Sequence, residues 1–241
     1  MTALFVADLH LDPSRPAATD SFLRFLAGTA GEASDLYVLG DLFEAWTGDD
    51  TAGEHDRLVL DAMARCVAGG TRGHLIRGNR DFLLGAGFTA RTGFRLLPEE
   101  SVVELPGARA LLMHGDSLCT DDRAYQRYRG IVRRPAIQSL YLTLPARVRA
   151  GIAGYARRRS SAANAGKPAA IMDVNPEAVA AALRRHHVHV LIHGHTHRPA
   201  IHEFVLDGAP ARRIVLADWH ARGSALAWTQ AGPELTTFEF G

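Results

Sequence analysis

Five short polar clusters in this 241-residue chain each follow directly on an apolar run. They are Asp8-Leu9-His10 after LFVA, Gly40-Asp41 after LYVL, and Gly78-Asn79-Arg80-Asp81 after HLIR. His114-Gly115-Asp116 follows ALLM, and Gly194-His195-Thr196-His197 follows VLIH. Their side chains are oxygen and nitrogen donors without thiolate, a set suited to hard-to-borderline divalent cations such as Mn²⁺, Fe²⁺ or Zn²⁺. Taken singly each cluster says little, since an isolated Asp-x-His is mostly an exposed turn. His186, His187, His189 and His202 read as surface histidines rather than donors. Together, in this order and each at the end of an apolar run, the five clusters are specific.

The elements that must position them are legible from periodicity. Residues 4–7, 36–39, 75–76, 110–113 and 190–192 have the continuity of buried strands. Residues 20–30 and 54–67 carry apolar side chains at helical spacing. In the first, Phe22, Leu23, Leu26 and Ala30 share a face, with Thr19 or Asp20 as the expected cap. Runs 201–205, 214–217, 225–229 and 235–240 alternate like antiparallel strands. Strands interleaved with helices, then more strands, imply stacked sheets covered by helices. Ligands of open α/β sheets bind beyond the carboxyl ends of the strands, so the five clusters are expected to face one crevice. The neighbouring glycines allow tight turns and close backbone approach there.

Composition bounds the rest. An apolar fraction of 47% with mean hydropathy −0.05 describes a globular chain, and no apolar run approaches the roughly 18 residues that a spanning helix needs. The N-terminus shows no secretory signal, and Cys66 and Cys119 read as small buried hydrophobes in a reducing compartment, so a cytoplasmic location is expected. Net charge is +1, but eleven of the 27 basic residues fall in residues 123–167, which contain no acid. The remainder then holds 16 basic residues against 26 acidic, and such segregation predicts an anionic partner. That segment, interrupted by Pro135 and Pro145 and carrying Ile137, Leu140, Tyr141, Leu142 and Leu144, reads as a helical cap inserted at about 121–168 in a single domain spanning 1–241.

The series Asp8-x-His10, Gly-Asp41, Gly-Asn79-x-Asp81, His114-Gly and Gly-His195-x-His197 resembles the calcineurin-like metallophosphoesterases. More narrowly, DLHLD, LGDLFEAWTGDD, GNRDFLLG, LLPEE, MHGDSLCTDD, AIMDVN and IHGHTHRPA resemble the UDP-2,3-diacylglucosamine pyrophosphatase (hydrolase) family of lipid A synthesis, nearly end to end. The resemblance implies an α/β (α+β) four-layer αββα sandwich with the cap inserted. It implies two Mn²⁺ ions per chain: Asp8, His10, Asp41 and His197 would hold one, and Asp41, Asn79, His114 and His195 the other, with Asp41 shared. A shared carboxylate also follows from electrostatics, because ions about 3.5–4 Å apart repel each other. Asp81 and Asp116 would orient ligands through hydrogen bonds, though Asp116 reads equally well as a turn carboxylate. The wider superfamily usually has His after the motif Asn; this chain has Arg80, which cannot donate a proton but can grip a phosphate.

The resemblance further implies cleavage of the pyrophosphate of UDP-2,3-diacylglucosamine into UMP and 2,3-diacylglucosamine 1-phosphate. Hydroxide generated between the ions would attack the phosphorus next to uridine, with Arg80, Asn79 and His195 stabilising charge. It places Asp122, Ser160, Asn164 and Lys167 (the one lysine of the chain) at substrate contacts beside Asn79, Arg80 and His195, and Arg157 is a neighbour added to that set. A strip of Arg among Leu, Ile and Tyr suits a phosphorylated lipid better than nucleic acid, since no aromatic stacking platform is evident. A monomer in peripheral contact with the anionic inner face of the inner membrane is expected. Two rivals remain: another metal-dependent phosphodiesterase or nucleotide pyrophosphatase of the same superfamily, and a non-catalytic scaffold that would have lost its ligands.

Overall fold

Apolar runs too short to be helices pair into two sheets, and the amphipathic segments between them cover the outer faces. The computed structural model describes residues 2–164 and 173–240, residues 161–164 by their backbone only. The chain runs β1 (Ala3–Val6), α1 (Pro16–Ala27), β2 (Asp35–Val38), α2 (Glu54–Ala68), β3 (Arg72–Ile76), α3 (Ala86–Thr92) and β4 (Arg95–Leu97). It continues through β5 (Ser101–Leu105), β6 (Ala108–Leu112), α4 (Arg123–Val132), α5 (Pro135–Leu142), α6 (Ala146–Asn164), α7 (Pro176–His186) and β7 (Val190–His193). Strands β8 (Ala200–Leu206), β9 (Ala209–Val215), β10 (Arg222–Thr229) and β11 (Gly232–Glu239) complete it.

One sheet has the order β11-β10-β1-β2-β3-β4 and the other β5-β6-β7-β9-β8. Strands β1 to β4 are mutually parallel, as are β6, β7 and β9. Their register aligns the strand ends: Val6 pairs with Val38 and Val38 with Leu75, while Leu112 pairs with Ile192 and Ile192 with Ile214. Phe5, Tyr37, Leu39 and Ile76 of the first sheet meet Leu112, Ile192, Ile214 and Leu216 of the second. The outer face of the first sheet packs on α1, α2 and α3 through Phe22, Phe25, Val59, Met63 and Phe88. The second is covered by α7 through Val179, Ala182 and Leu183. The architecture is the expected four-layer αββα sandwich.

Two local readings need correction. Helix α1 starts a turn earlier than its apolar face indicates, with Pro16 at the first helical position and Arg15 before it. Proline fixes a helical φ and needs no N–H partner there, so Thr19 is an interior residue bonded to His55 at 2.9 Å, not a cap. Asp20 is likewise inside the helix, which ends at Ala27 ahead of Gly28, so Ala30 packs from beyond it. Helix α3 and strands β4 and β5 carry too short or too mixed a pattern to be read from periodicity.

The described part of the basic segment, residues 123–164, forms the helices α4, α5 and α6. Pro135 and Pro145 do not break helices but start them, Pro135 in the first turn of α5 and Pro145 just before α6. Several of its arginines are bound to the chain's own acids. Asp116 accepts from Arg129 at 2.8 Å, Arg133 lies 3.0 Å from Glu99, and buried Arg149 donates to Thr47 O at 2.7 Å and pairs with Asp50. Part of the charge segregation is therefore internal complementarity between cap and body. Among the described residues no helix is long and apolar enough to cross a membrane. Cys66 and Cys119 are both buried and free.

The inter-sheet layer should carry much of the stability. Leu112 is 0% exposed and Leu58 on α2 is 47% exposed. Urea unfolding of Leu112→Ala should show a loss of about 2–5 kcal/mol, whereas Leu58→Ala should stay within about 0.5 kcal/mol of the parent chain.

Candidate metal centre

The aligned strand ends deliver their polar clusters to one edge of both sheets. Asp8 follows β1, Asp41 follows β2, Asn79 follows β3, His114 follows β6, and His195 and His197 follow β7. Asp8, His10 and His197 form one group whose donor atoms all lie within 4.8 Å, and Asp8, Asp41 and His114 form another. Asp8 belongs to both groups, and Asp41 Oδ2 lies 3.7 Å from His10 Nε2 and 3.8 Å from His114 Nε2, so its oxygen is within reach of one ring of each. Asn79 Oδ1 lies 2.9 Å from His114 Nε2. The His195 ring is 5.0 Å from that of His114, and the His10 ring 5.4 Å from that of His197.

Backbone geometry turns these side chains inward. Asp8, His10, Asp41, His195 and His197 all have φ between 49° and 69°, a left-handed conformation uncommon outside glycine. Such strain persists only where surrounding bonds enforce it. Here Asp8 N donates to Gly40 O at 3.1 Å, His10 N to Asp41 O at 2.9 Å, and Trp219 N to Asp8 O at 3.1 Å. Bonds that join the sheets at this edge include His195 N donating to Asp8 Oδ2 at 2.7 Å and His114 Nδ1 donating to Leu39 O at 2.9 Å. Gly78 and Gly194 are required by space, since a Cβ on Gly78 would overlap Asp41 and one on Gly194 would overlap Asp8.

The rings are held from behind. His114 Nδ1 is fixed by Leu39 O, His10 Nδ1 sits 2.9 Å from Glu44, and His197 Nδ1 sits 2.9 Å from Asp218. Each arrangement leaves Nε2 facing the carboxylates, which is how ion-holding imidazoles are oriented. Lone-pair atoms thus converge with little between them. Asp8 Oδ1 and both ring nitrogens of His10 are buried without a hydrogen bond, the Glu44 contact to Nδ1 being an ion pair, an arrangement of donor atoms that divalent cations fit. The electrostatics agree. Burial opposes charge on His10 and His114, yet Glu44, Asp41 and Asp8 raise the first and Asp41, Asp8 and Asp116 raise the second. Against the same burial, Asp218 and Asp8 push His197 up to about 10. Burial and the neighbouring His114 pull His195 down to about 4, keeping its ring neutral. The cluster demands positive charge, and ions that supply it would displace these protons.

Asp81 and Asp116 do work other than orienting a donor side chain. Asp81 accepts from Gly78 N and Leu42 N, both at 2.8 Å, tying the loops after β2 and β3 together. Burial and Asp41 raise its pKa. Asp116 accepts from Tyr125 Oη at 2.7 Å and from Arg129, so it anchors α4 rather than its own turn. Burial would raise its pKa, but His114, Arg133 and Arg129 hold it well below the carboxylate range.

The remaining sequence-predicted residues are more dispersed. Arg80 N donates to Asp41 Oδ1 at 2.8 Å, and its guanidinium lies 4.0 Å from Glu44. Arg157 Nε on α6 lies 3.0 Å from the same Glu44 oxygen. Asp122 caps α4, accepting from Tyr125 N at 3.1 Å, and the Tyr125 ring is 6.2 Å from that of His195. Ser160 is exposed on α6 and Asn164 is the last residue of that helix. Lys167 lies outside the described residues. Glu44 and Asp218 were missed by motif reading. Asp218 follows the apolar run of β9 in the same pattern as the other clusters and could have been found by it; Glu44 stands alone.

Comparison with known proteins shows the family. The calcineurin-like phosphoesterase family model matches residues 1–199. UDP-2,3-diacylglucosamine hydrolases of Escherichia coli strains UMN026 and HS are each 51% identical over 240 residues, covering 100% of both chains. The solved structure of Yfce, a phosphoesterase from E. coli, covers 95% of this chain and 88% of its own at 17% identity and TM-score 0.46. The chain belongs to the calcineurin-like phosphoesterases and, within them, to the UDP-2,3-diacylglucosamine hydrolase family.

Proposed function

We propose that the chain hydrolyses the pyrophosphate bond of UDP-2,3-diacylglucosamine, releasing UMP and 2,3-diacylglucosamine 1-phosphate, at a centre of two Mn²⁺ ions. The observation that carries this reading is the position of Asp41, whose Oδ2 lies between His10 and His114 at 3.7 and 3.8 Å. Asp8, His10, Asp41 and His197 are assigned to one ion, and Asp41, Asn79, His114 and His195 to the other. When bound, the pair supplies Lewis acidity at the phosphoryl oxygens and acidifies a water to near-neutral pKa.

The chain's own residues do the rest. Arg80 offers a guanidinium fork that steadies charge on the phosphoryl oxygens and contributes no proton. A phosphate monoester is a weakly basic leaving group, so charge stabilisation matters more there than protonation. Asn79 offers an amide N–H₂ to the substrate while its Oδ1 faces His114. The cap of α4 to α6 offers Asp122, Arg157 and Ser160 to the substrate, and Asn164 and Lys167 are assigned to it as well. Its exposed Ile131, Leu140, Ile152 and Tyr155 provide apolar surface for acyl chains. The remaining arginines support peripheral contact with an anionic membrane surface, and the chain is taken to act as a monomer.

Three measurements test this. Asp41→Asn should lose turnover and Mn²⁺ uptake while keeping its circular dichroism and melting transition; full turnover in that variant contradicts the shared carboxylate. Hydrolysis of the diacylated substrate should exceed that of its deacylated analogue in kcat/KM by at least tenfold, a gap of about 1.4 kcal/mol; equal values point instead to a pyrophosphatase for soluble nucleotides. Gly78→Ala should displace Asp41 and lower Mn²⁺ affinity, with a stability loss of about 1–3 kcal/mol from overpacking, read by calorimetry on the same sample.

A further inference from the structure

Glu44 divides one carboxylate between two parts of the molecule. It sits three residues beyond Asp41, and its backbone N–H donates to Leu11 O at 3.1 Å, which ties it to the loop carrying His10. Oε2 lies 2.9 Å from His10 Nδ1, while Oε1 lies 3.0 Å from Arg157 Nε and 4.0 Å from Arg80 Nη1. The Glu44 side chain is 14% exposed and that of Arg157 is 49% exposed. An exposed arginine is normally free to sample many rotamers, and an isolated surface pair would restrain it weakly. Two guanidinium groups also repel each other. A carboxylate oxygen between them lets Arg80 of the body and Arg157 of the cap stand side by side, where an incoming phosphate would find both.

We propose that Glu44 is a positioning residue coupling the ion cluster to the cap: one oxygen fixes the His10 ring, and the other seats Arg157 beside Arg80. This rests on the reading of His10 as an ion ligand and of the cap as the substrate's seat. A purely structural salt bridge would affect neither ion affinity nor substrate affinity in a linked way.

The test is Mn²⁺ uptake by the full chain, followed through the electron paramagnetic resonance of free Mn²⁺, alongside KM for the lipid-linked pyrophosphate. Glu44→Ala frees both partners, so one class of Mn²⁺ should bind about 10–100-fold more weakly and KM should rise. Glu44→Gln keeps an amide oxygen for His10 Nδ1 but turns its N–H₂ towards Arg157. It should therefore hold Mn²⁺ about as well as the parent chain while KM rises as in Arg157→Ala. Arg157→Ala alone should leave Mn²⁺ uptake unchanged, and combined with Glu44→Gln it should add little to KM. Wild-type Mn²⁺ affinity in Glu44→Ala, or independent KM effects of Glu44→Gln and Arg157→Ala, overturns the coupling. Should Glu44→Ala fail to fold, the Gln and Arg157→Ala cycle still decides. A parent chain that takes up no Mn²⁺ rejects the metal centre itself, and this proposal with it.

Discussion

Four carboxylates lie buried at one edge of the two sheets, Asp8, Asp41, Asp81 and Asp116, each no more than 2% exposed. Burying a carboxylate without compensation is costly enough that the group either finds partners or loses its charge. Much of the local structure can be read as the set of solutions to this constraint. Asp81 takes backbone N–H groups from two loops. Asp116 takes the hydroxyl of Tyr125 and the guanidinium of Arg129, both from α4. Asp8 and Asp41 have neither solution in full. They receive His195 N and Arg80 N on one oxygen each and face imidazoles with the other. The charge left over at these two residues is what makes the edge a candidate cation site rather than an ordinary loop cluster.

The same edge concentrates backbone strain. Among the described residues, seven non-glycine positions have positive φ, and five of them belong to the candidate centre. The other two have local explanations: His187 ends α7, and Asp207 precedes Gly208 in the β8–β9 hairpin. Strain on the order of 1 kcal/mol or more at each of five residues is a sizeable part of the roughly 5–15 kcal/mol by which a domain is stable. It is sustained because both sheets are anchored close by, through an apolar layer that Phe5, Leu112 and Ile192 fill. The rigid layer and the strained edge are therefore one design: the first makes the second possible.

What the sequence discloses follows from which of these terms leave local traces. Buried parallel strands announce themselves as uninterrupted apolar runs, and a polar cluster after each run marks the edge where strands end. That much places Asp8, Asp41, Asn79, His114 and His195 on one side of the molecule. Terms that depend on contacts across the chain leave no such trace. Nothing near Glu44 hints that His10 and Arg157, 34 residues before it and 113 after, if counted by number alone, meet at its two oxygens. The start of α1 was misplaced because Pro16 acts through its fixed φ, which hydrophobic periodicity does not register.

The basic cap shows how a correct compositional signal can have two causes. An acid-free stretch of 45 residues reads as a surface awaiting an anion, but Arg129, Arg133, Arg149 and Arg157 already face Asp116, Glu99, Asp50 and Glu44 on the body. Segregating the signs is what lets cap and body attract along several seams without internal competition within either part. These pairs differ in burial and therefore in consequence. Arg149 is almost wholly enclosed, so its pairing with Asp50 and Thr47 O acts as a fixed anchor. Arg157 is half in solvent, and its partner also faces His10 of the candidate centre. A cap anchored at one seam and presenting Arg157 beside Arg80 at another is suited to seating a ligand that carries both phosphate and acyl chains, because the anchored helices keep the apolar surface in place while Glu44 keeps the exposed arginine where the charge would arrive.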